Sequence, residues 1–202
     1  MSKVETIEAL EALYPRPPSD PAMRKVADRL TPLYRRWIMA SRFCVISTVG
    51  PEGTDGSPRG DVGPVVEEQD DCTLLMPDWR GNNRLDSLRN IVRDGRISLM
   101  FMVAGSTTIV RVNGRAHLDA SAEMTGRFEV KGRHPASVIV IEISEIYTQC
   151  ARALMRSGLW VSGDQTEGLP SAGDIIDEMT RSEIDGPAYD AEWPKRAEKN
   201  MW

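Results

Sequence analysis

Hydrophobic positions follow helical spacing in the first forty residues and then give way to short strand-like runs. Val4, Ile7, Leu10 and Leu13 recur every third residue, which predicts a helix over residues 3–14. The segment PRPPSDP interrupts it. Asp20 followed by Pro21 has the character of an N-cap and first helical residue, opening a second helix toward Ala40 that Pro32 could break. From Arg42 onward the apolar runs are short and rich in β-branched residues. Strands are expected at 43–48, 57–66, 72–76, 96–103, 107–113 and 137–146. Gly50–Gly56 is expected to turn the chain, and the Pro and Gly of SPRGDVGPVV point to a bulged or edge strand. Gly114–Asp119 extends the fifth strand past a bulge. Helical pieces are expected at 83–92, with Leu85, Leu88 and Val92 on one face, and near 121–130, 148–157 and 172–179.

Strands joined mostly by turns favour an antiparallel sheet closing on itself over a doubly wound sheet. The fold expected is mainly β with flanking helices: a six-stranded antiparallel barrel at 42–160. A helical extension at 1–41 precedes it, and a polar tail at 161–202 lies off the barrel or over a partner subunit.

Composition narrows the function classes. Of 202 residues, 41% are hydrophobic and 27% charged, the balance of a globular chain. A net charge of −5 without a basic stripe argues against nucleic acid as a partner. The arginine-rich run 24–42 reads as a solvated helix face. The amino terminus is polar, and no window approaches the ~18–20 apolar residues that span a bilayer, so a cytoplasmic protein without membrane contact is expected. Cys44, Cys72 and Cys150 are unpaired by spacing and read as reduced, buried thiols. Two histidines, His117 and His134, stand without metal-ligand neighbours, so no metal site is expected. No GxSxG elbow occurs. A borrowed cofactor is the better source of chemistry.

One segment carries anion-binding character. In DWRGNNRLDS, Asn83 is placed as an N-cap with Asp86 three residues later, Gly81 eases the turn, and Arg84 sits in the first helical turn. A helix start with unpaired N–H groups and an added guanidinium suits a phosphate. Arg59 in SPRGD and Arg111 in IVRVNG are strand arginines that could converge on the same anion. The plain alternative for each is a solvent-facing residue. GxxxxGK[ST] and GxGxxG are absent.

The runs RFCVIST, SPRGD, TLLMPDWRGNNRLDSLRNI and TIVRVNGRAHL, with Cys150, Ala153, Arg156, Ser157, Leu159 and Trp160 following, resemble the pyridoxamine 5′-phosphate oxidase-like family of flavin-binding split barrels. The resemblance spans residues 40–160 and looks like an FMN-dependent branch. It implies a homodimeric split barrel with FMN at the subunit interface. Met76, Pro77, Asp78, Asn82, Asn83 and Arg84 would meet the phosphate and ribityl chain. Arg59 and Gly60 would pass beside the flavin, and Thr108 and Arg111 would approach its ring. Arg156, Ser157 and Trp160 would reach it from the other subunit, although Trp160 also suits ordinary packing. The final residues, AEKNMW, depart from the basic, histidine-bearing segment with which the oxidase proper holds its substrate, so vitamin B6 oxidation is not expected. The functional expectation is an FMN-dependent oxidoreductase acting on an unidentified small molecule, with NAD(P)H a candidate reductant and no catalytic residue assigned. The alternative is a non-catalytic flavin carrier or sensor.

Overall fold

A computed structural model describes residues 3–202. Three short helices open the chain: α1 (Ile7–Leu13), α2 (Asp20–Arg24) and α3 (Pro32–Ile38). Strands β1 (Phe43–Gly50), β2 (Gly53–Gly60), β3 (Glu67–Asp70) and β4 (Thr73–Asp78) follow, then α4 (Asp86–Arg93). Next come β5 (Arg96–Met102), β6 (Ile109–Asp119), α5 (Ala122–Thr125) and β7 (Ser137–Gln149). Helices α6 (Arg152–Ser157), α7 (Ala172–Met179) and α8 (Gly186–Asn200) complete the chain.

All the strands join one seven-stranded sheet in the order β2-β1-β5-β6-β7-β4-β3, and every pairing is antiparallel. The expected six-stranded closed barrel is therefore corrected twice. A seventh strand, β3, is present, and the ladder stays open because β2 and β3 are edges. The sheet is nonetheless strongly rolled. Five strand spacings separate β2 from β4, about 24 Å if the sheet were flat. Yet Arg59 on β2 lies 3.6 Å from Asp78 on β4. Side chains bridge the seam where the backbone does not.

Rolling encloses the core. Ile46, Leu74, Met76, Leu99, Phe101, Val110, Val112, Ile139 and Ile141 are buried in one cluster, with Ile38 of α3. Leu30 is also buried there, and Ala27 forms a backbone bridge with Ile146, so the segment ahead of β1 seals one end of the core. α1 takes no part, since Ile7, Leu10 and Leu13 are exposed.

Several local expectations shift for identifiable reasons. The turn expected over Gly50–Gly56 contracts to the two residues Pro51 and Glu52, with Gly50 opposite Gly53, and the rest becomes β2. Gly53 takes φ +128°, a conformation open to glycine. The second helix splits into α2, capped by Ser19 rather than Asp20, and α3, because Pro32 starts a new helix. β7 runs on through Thr148, ahead of α6. Only Cys44 is buried; Cys72 is half-buried and Cys150 exposed. Burial pushes the Cys44 thiol up to about 12, so it acts as an inert small hydrophobe. Among the described residues, no helix is long and apolar enough to cross a membrane, and no His, Cys, Asp or Glu group is placed to hold a metal ion.

Candidate functional site

The seam of the rolled sheet opens into a cavity of about 910 Å³. Its floor is the inner face of β2. Cross-strand partners share a face, and neighbouring rows alternate. Arg59 pairs with Cys44, which pairs with the buried Phe101, so Arg59, Ser57 and Asp55 point toward the interior. The far wall is Asp78 at the end of β4, the segment after it with Trp79, Arg80 and residues 81–85, and the start of α4.

α4 is held against the sheet by polar groups. Ser87 donates to Asp55, and the buried Asn90 Nδ2 donates to Thr48 Oγ1 over 3.2 Å. Gly50 permits this approach, since a Cβ there would run into the Asn90 side chain. The buried face of α4 is thus Ser87, Asn90 and Ile91, while Leu85 and Val92 are exposed. Of the apolar face expected from spacing, only Leu88 packs against the core.

The helix start differs as well. Asn83 is not the N-cap; Leu85 is, in the left-handed region at φ 62°, and Asn83 itself has φ 60°. Asn82 Oδ1 accepts from the Arg84 backbone N–H at 3.1 Å, tightening this turn. A left-handed residue followed by right-handed helix turns successive N–H groups to one side, a concavity suited to anions. The first-turn amides and dipole of α4 add to it. Two non-glycine residues at positive φ cost about 1–3 kcal/mol each, strain of the kind retained at binding sites.

Cationic groups flank the concavity. Arg84 Nε donates to Asp86 at 2.6 Å and stays exposed. Arg59 is partly buried beside Asp78, and its Nε is buried without an acceptor. A buried, unmade hydrogen bond from a guanidinium is costly, and an incoming anion or carbonyl would satisfy it. Burial pushes the Asp78 carboxyl above the usual carboxylate range, with Arg59 partly offsetting the rise.

Of the residues expected at the site, Arg59, Asp78, Asn82, Asn83 and Arg84 line this cavity. Gly60, Met76 and Pro77 line a second one of about 500 Å³, which also touches Arg59. The others lie elsewhere in the chain. Arg111 pairs with Met100 and Tyr147, one row from the buried Val110 and Val112, so it projects from the outer face of the sheet. There its guanidinium lies 5.4 Å from the centre of the Tyr147 ring, and its Nε also lacks a partner. Convergence of Arg59, Arg84 and Arg111 within one chain is thereby corrected: two share a cavity, and the third lies across the sheet. Trp160 Nε1 donates to Ser106 O at 2.8 Å, and Ser106 Oγ accepts from the Thr108 N–H, so Trp160 and Thr108 form a group with β6. Arg156 and Ser157 lie on the exposed α6.

Other cavity residues carried no local signal in the sequence. Trp79 is oriented by Asp61, whose carboxylate accepts its Nε1–H at 2.9 Å. Arg133, His134 and Trp202 enter from the loop before β7 and from beyond α8. His134 Nδ1 donates to the Phe128 carbonyl at 2.7 Å, which leaves Nε2 as the ring's acceptor when neutral. Only tertiary folding brings these residues together.

Residues 30–150 match the model of the pyridoxamine 5′-phosphate oxidase family. The chain belongs to that family. No curated protein matches it. Similar solved structures include HupZ from Group A Streptococcus, with 17% identity over 59% of this chain and 93% of that one, TM-score 0.49. General stress protein 26 from Bacillus anthracis is 15% identical over 56% and 88% of the two chains, TM-score 0.42. An FMN-binding protein from Syntrophomonas wolfei is 16% identical over 57% and 88%, TM-score 0.42. Likeness at these levels bears on no functional point.

Proposed function

We propose that this member of the pyridoxamine 5′-phosphate oxidase family is an FMN-dependent oxidoreductase of the branch marked by SPRGD and GNNRLDSL. The observation that carries the reading is the partly buried Arg59, its Nε buried and unsatisfied, lining a cavity whose opposite wall is the strained, N–H-rich start of α4. These groups fit a phosphorylated ligand. Arg59, Arg84 and the amides around Leu85 would hold the phosphate. Asn82, Asn83 and the backbone of Met76, Pro77 and Asp78 would face the sugar-alcohol chain, with Gly60 leaving room beside it.

Bound there, FMN would supply the redox step, while the protein positions it and tunes its potential. No side chain is assigned as acid or base. Arg111 cannot reach the same ligand as Arg59 in one chain, because the two occupy opposite faces of the sheet, and Thr108, Arg156, Ser157 and Trp160 line neither cavity. A symmetric homodimer resolves this by setting the outer face of one copy against the cavity mouth of the other. Arg111, with its unpaired Nε, would then neutralise the ring edge from across the interface.

The visible spectrum of the purified protein tests the reading. Flavin bands, present as isolated or restored by FMN, are expected; a protein that stays colourless after incubation with FMN contradicts it. Bleaching by NADH or NADPH at a useful rate marks a reductase, and a bound flavin that neither reduces supports the carrier or sensor alternative.

Asp78 gives a pH signature. Its raised carboxyl binds a proton more readily than an ordinary one, and protonation frees Arg59 and removes a negative charge from beside the phosphate. By linkage, anion binding and protonation of Asp78 favour each other. FMN affinity should therefore gain a component that grows as pH falls from neutrality toward that raised value. Asp78→Asn should lose this component, and the difference between the two titration series cancels the phosphate's own second ionisation.

A further inference from the structure

The cavity lined by Arg59 and α4 and the smaller cavity beside it share five lining residues: Arg59, Trp79, Arg80, Gly81 and Trp202. Four belong to β2 and the segment after β4. Trp202 comes from more than a hundred residues away, and contacts with Trp79 and Arg133 fix it. Its indole meets Trp79 edge to face, with centroids 5.3 Å apart and planes at 87°. Arg133 Nη1 donates to the carbonyls of Lys199 and Trp202, both at 2.8 Å. Trp79 is itself braced by Asp61.

The element delivering Trp202 is a rigid unit on an irregular tether. α7 and α8 pack on each other with Gly173 against Gly186, where a Cβ on either would strike the other's backbone carbonyl. Ser171 and Asp174 form a capping box, and Asp190 accepts from Ser171 Oγ and the Gly173 N–H. Arg196 lies over the Tyr189 ring at 4.3 Å and near Trp193 at 5.8 Å. Residues 163–170, ahead of this hairpin, are exposed and belong to no helix or strand. A stiff hairpin on a loose tether, pinned at its far end to the partition between two cavities, has the construction of a strap.

We infer that the α7–α8 hairpin is a strap that seats Trp202 against Trp79 as a removable aromatic wall of the ligand site, closing it over a planar ring. The inference rests on the flavin reading for the ring's identity but not for the strap itself. With Trp202 in place the two cavities are partitioned. With it withdrawn they merge, so loading and release require the Arg133 hydrogen bonds to break.

Two readouts test this on the full chain. The first is the rate of FMN release on dilution, followed by recovery of flavin fluorescence, for the wild type, Trp202→Ala, Trp202→Phe and Arg133→Gln. Release should be roughly 2- to 10-fold faster in Trp202→Ala and Arg133→Gln, the loss of one aromatic pair's worth of contact, and near wild type in Trp202→Phe. Unchanged release in both Trp202→Ala and Arg133→Gln overturns the strap. The second readout is hydrogen exchange of the ligand-free proteins. Arg133→Gln should raise exchange over 196–202, with β5 and β6 unchanged; equal exchange in that segment with and without Arg133 contradicts the strap. If the wild type takes up no FMN, the flavin reading fails and the exchange result alone decides the strap.

Discussion

Replacing Arg59 with glutamine should weaken FMN binding about 10- to 100-fold, with little change in the overall fold. Arg59 sits on the inner face of β2, bridges the seam to Asp78, and holds a buried Nε without an acceptor. A charge-assisted hydrogen bond to a buried anion is worth about 1.5–3 kcal/mol, and each 1.4 kcal/mol is a factor of ten in affinity. The single variant also strands the Asp78 carboxylate, already disfavoured by burial. Arg59→Gln/Asp78→Asn removes both charges and isolates the loss of the phosphate contact. Calorimetric titration with FMN measures all three proteins. If the double variant binds as tightly as the wild type, Arg59 is not a phosphate ligand.

Phe101→Ala should cost about 3–5 kcal/mol of stability, the largest effect of any single truncation in the core. Phe101 is fully buried on β5, directly opposite Cys44 and Val110 in the row that ends at Arg59. A domain has about 5–15 kcal/mol in total, so the variant would sit near its unfolding threshold. Urea denaturation should show a lowered midpoint, with the β2 edge and its arginine losing their support. Leu33→Ala, 78% exposed on α3, is the control and should stay within about 0.5 kcal/mol of wild type. A small cost at Phe101 would contradict a rolled sheet packed around this row.

The sheet was legible where strands carry β-branched runs. Phe43–Thr48 declares itself by β-branched residues with one face in the core, and Ser137–Ile146 by a stretch, 138–141, buried on both faces. β3, with the sequence EEQD, has no apolar residue to announce it and exists only because the edge of β4 offers a ladder. β2 was obscured by its glycines and proline, and α8 by Pro194 and an even spread of charge. In the site, the GNNR segment announces a turn into a helix, but the N-cap falls at Leu85 in the left-handed region rather than at Asn83, a position that capping preference alone does not reveal. The face of Arg111 was available from parity alone: Val110 and Val112 point inward, so the residue between them points out. His134, Arg133 and Trp202 carry no local signal, since loops and a distant helix place them.

In the proposed complex, Arg59 and the turn at Asn82–Asp86 grip the phosphorylated end of the ligand. Side-by-side titration of the ligand-free protein with FMN and with riboflavin, which lacks only the phosphate, tests that grip most directly. The prediction is FMN binding at least about tenfold tighter than riboflavin, a gap of one charge-assisted hydrogen bond or more, that shrinks in Arg59→Gln. Equal affinities for the two ligands, or a gap undiminished in Arg59→Gln, would contradict it.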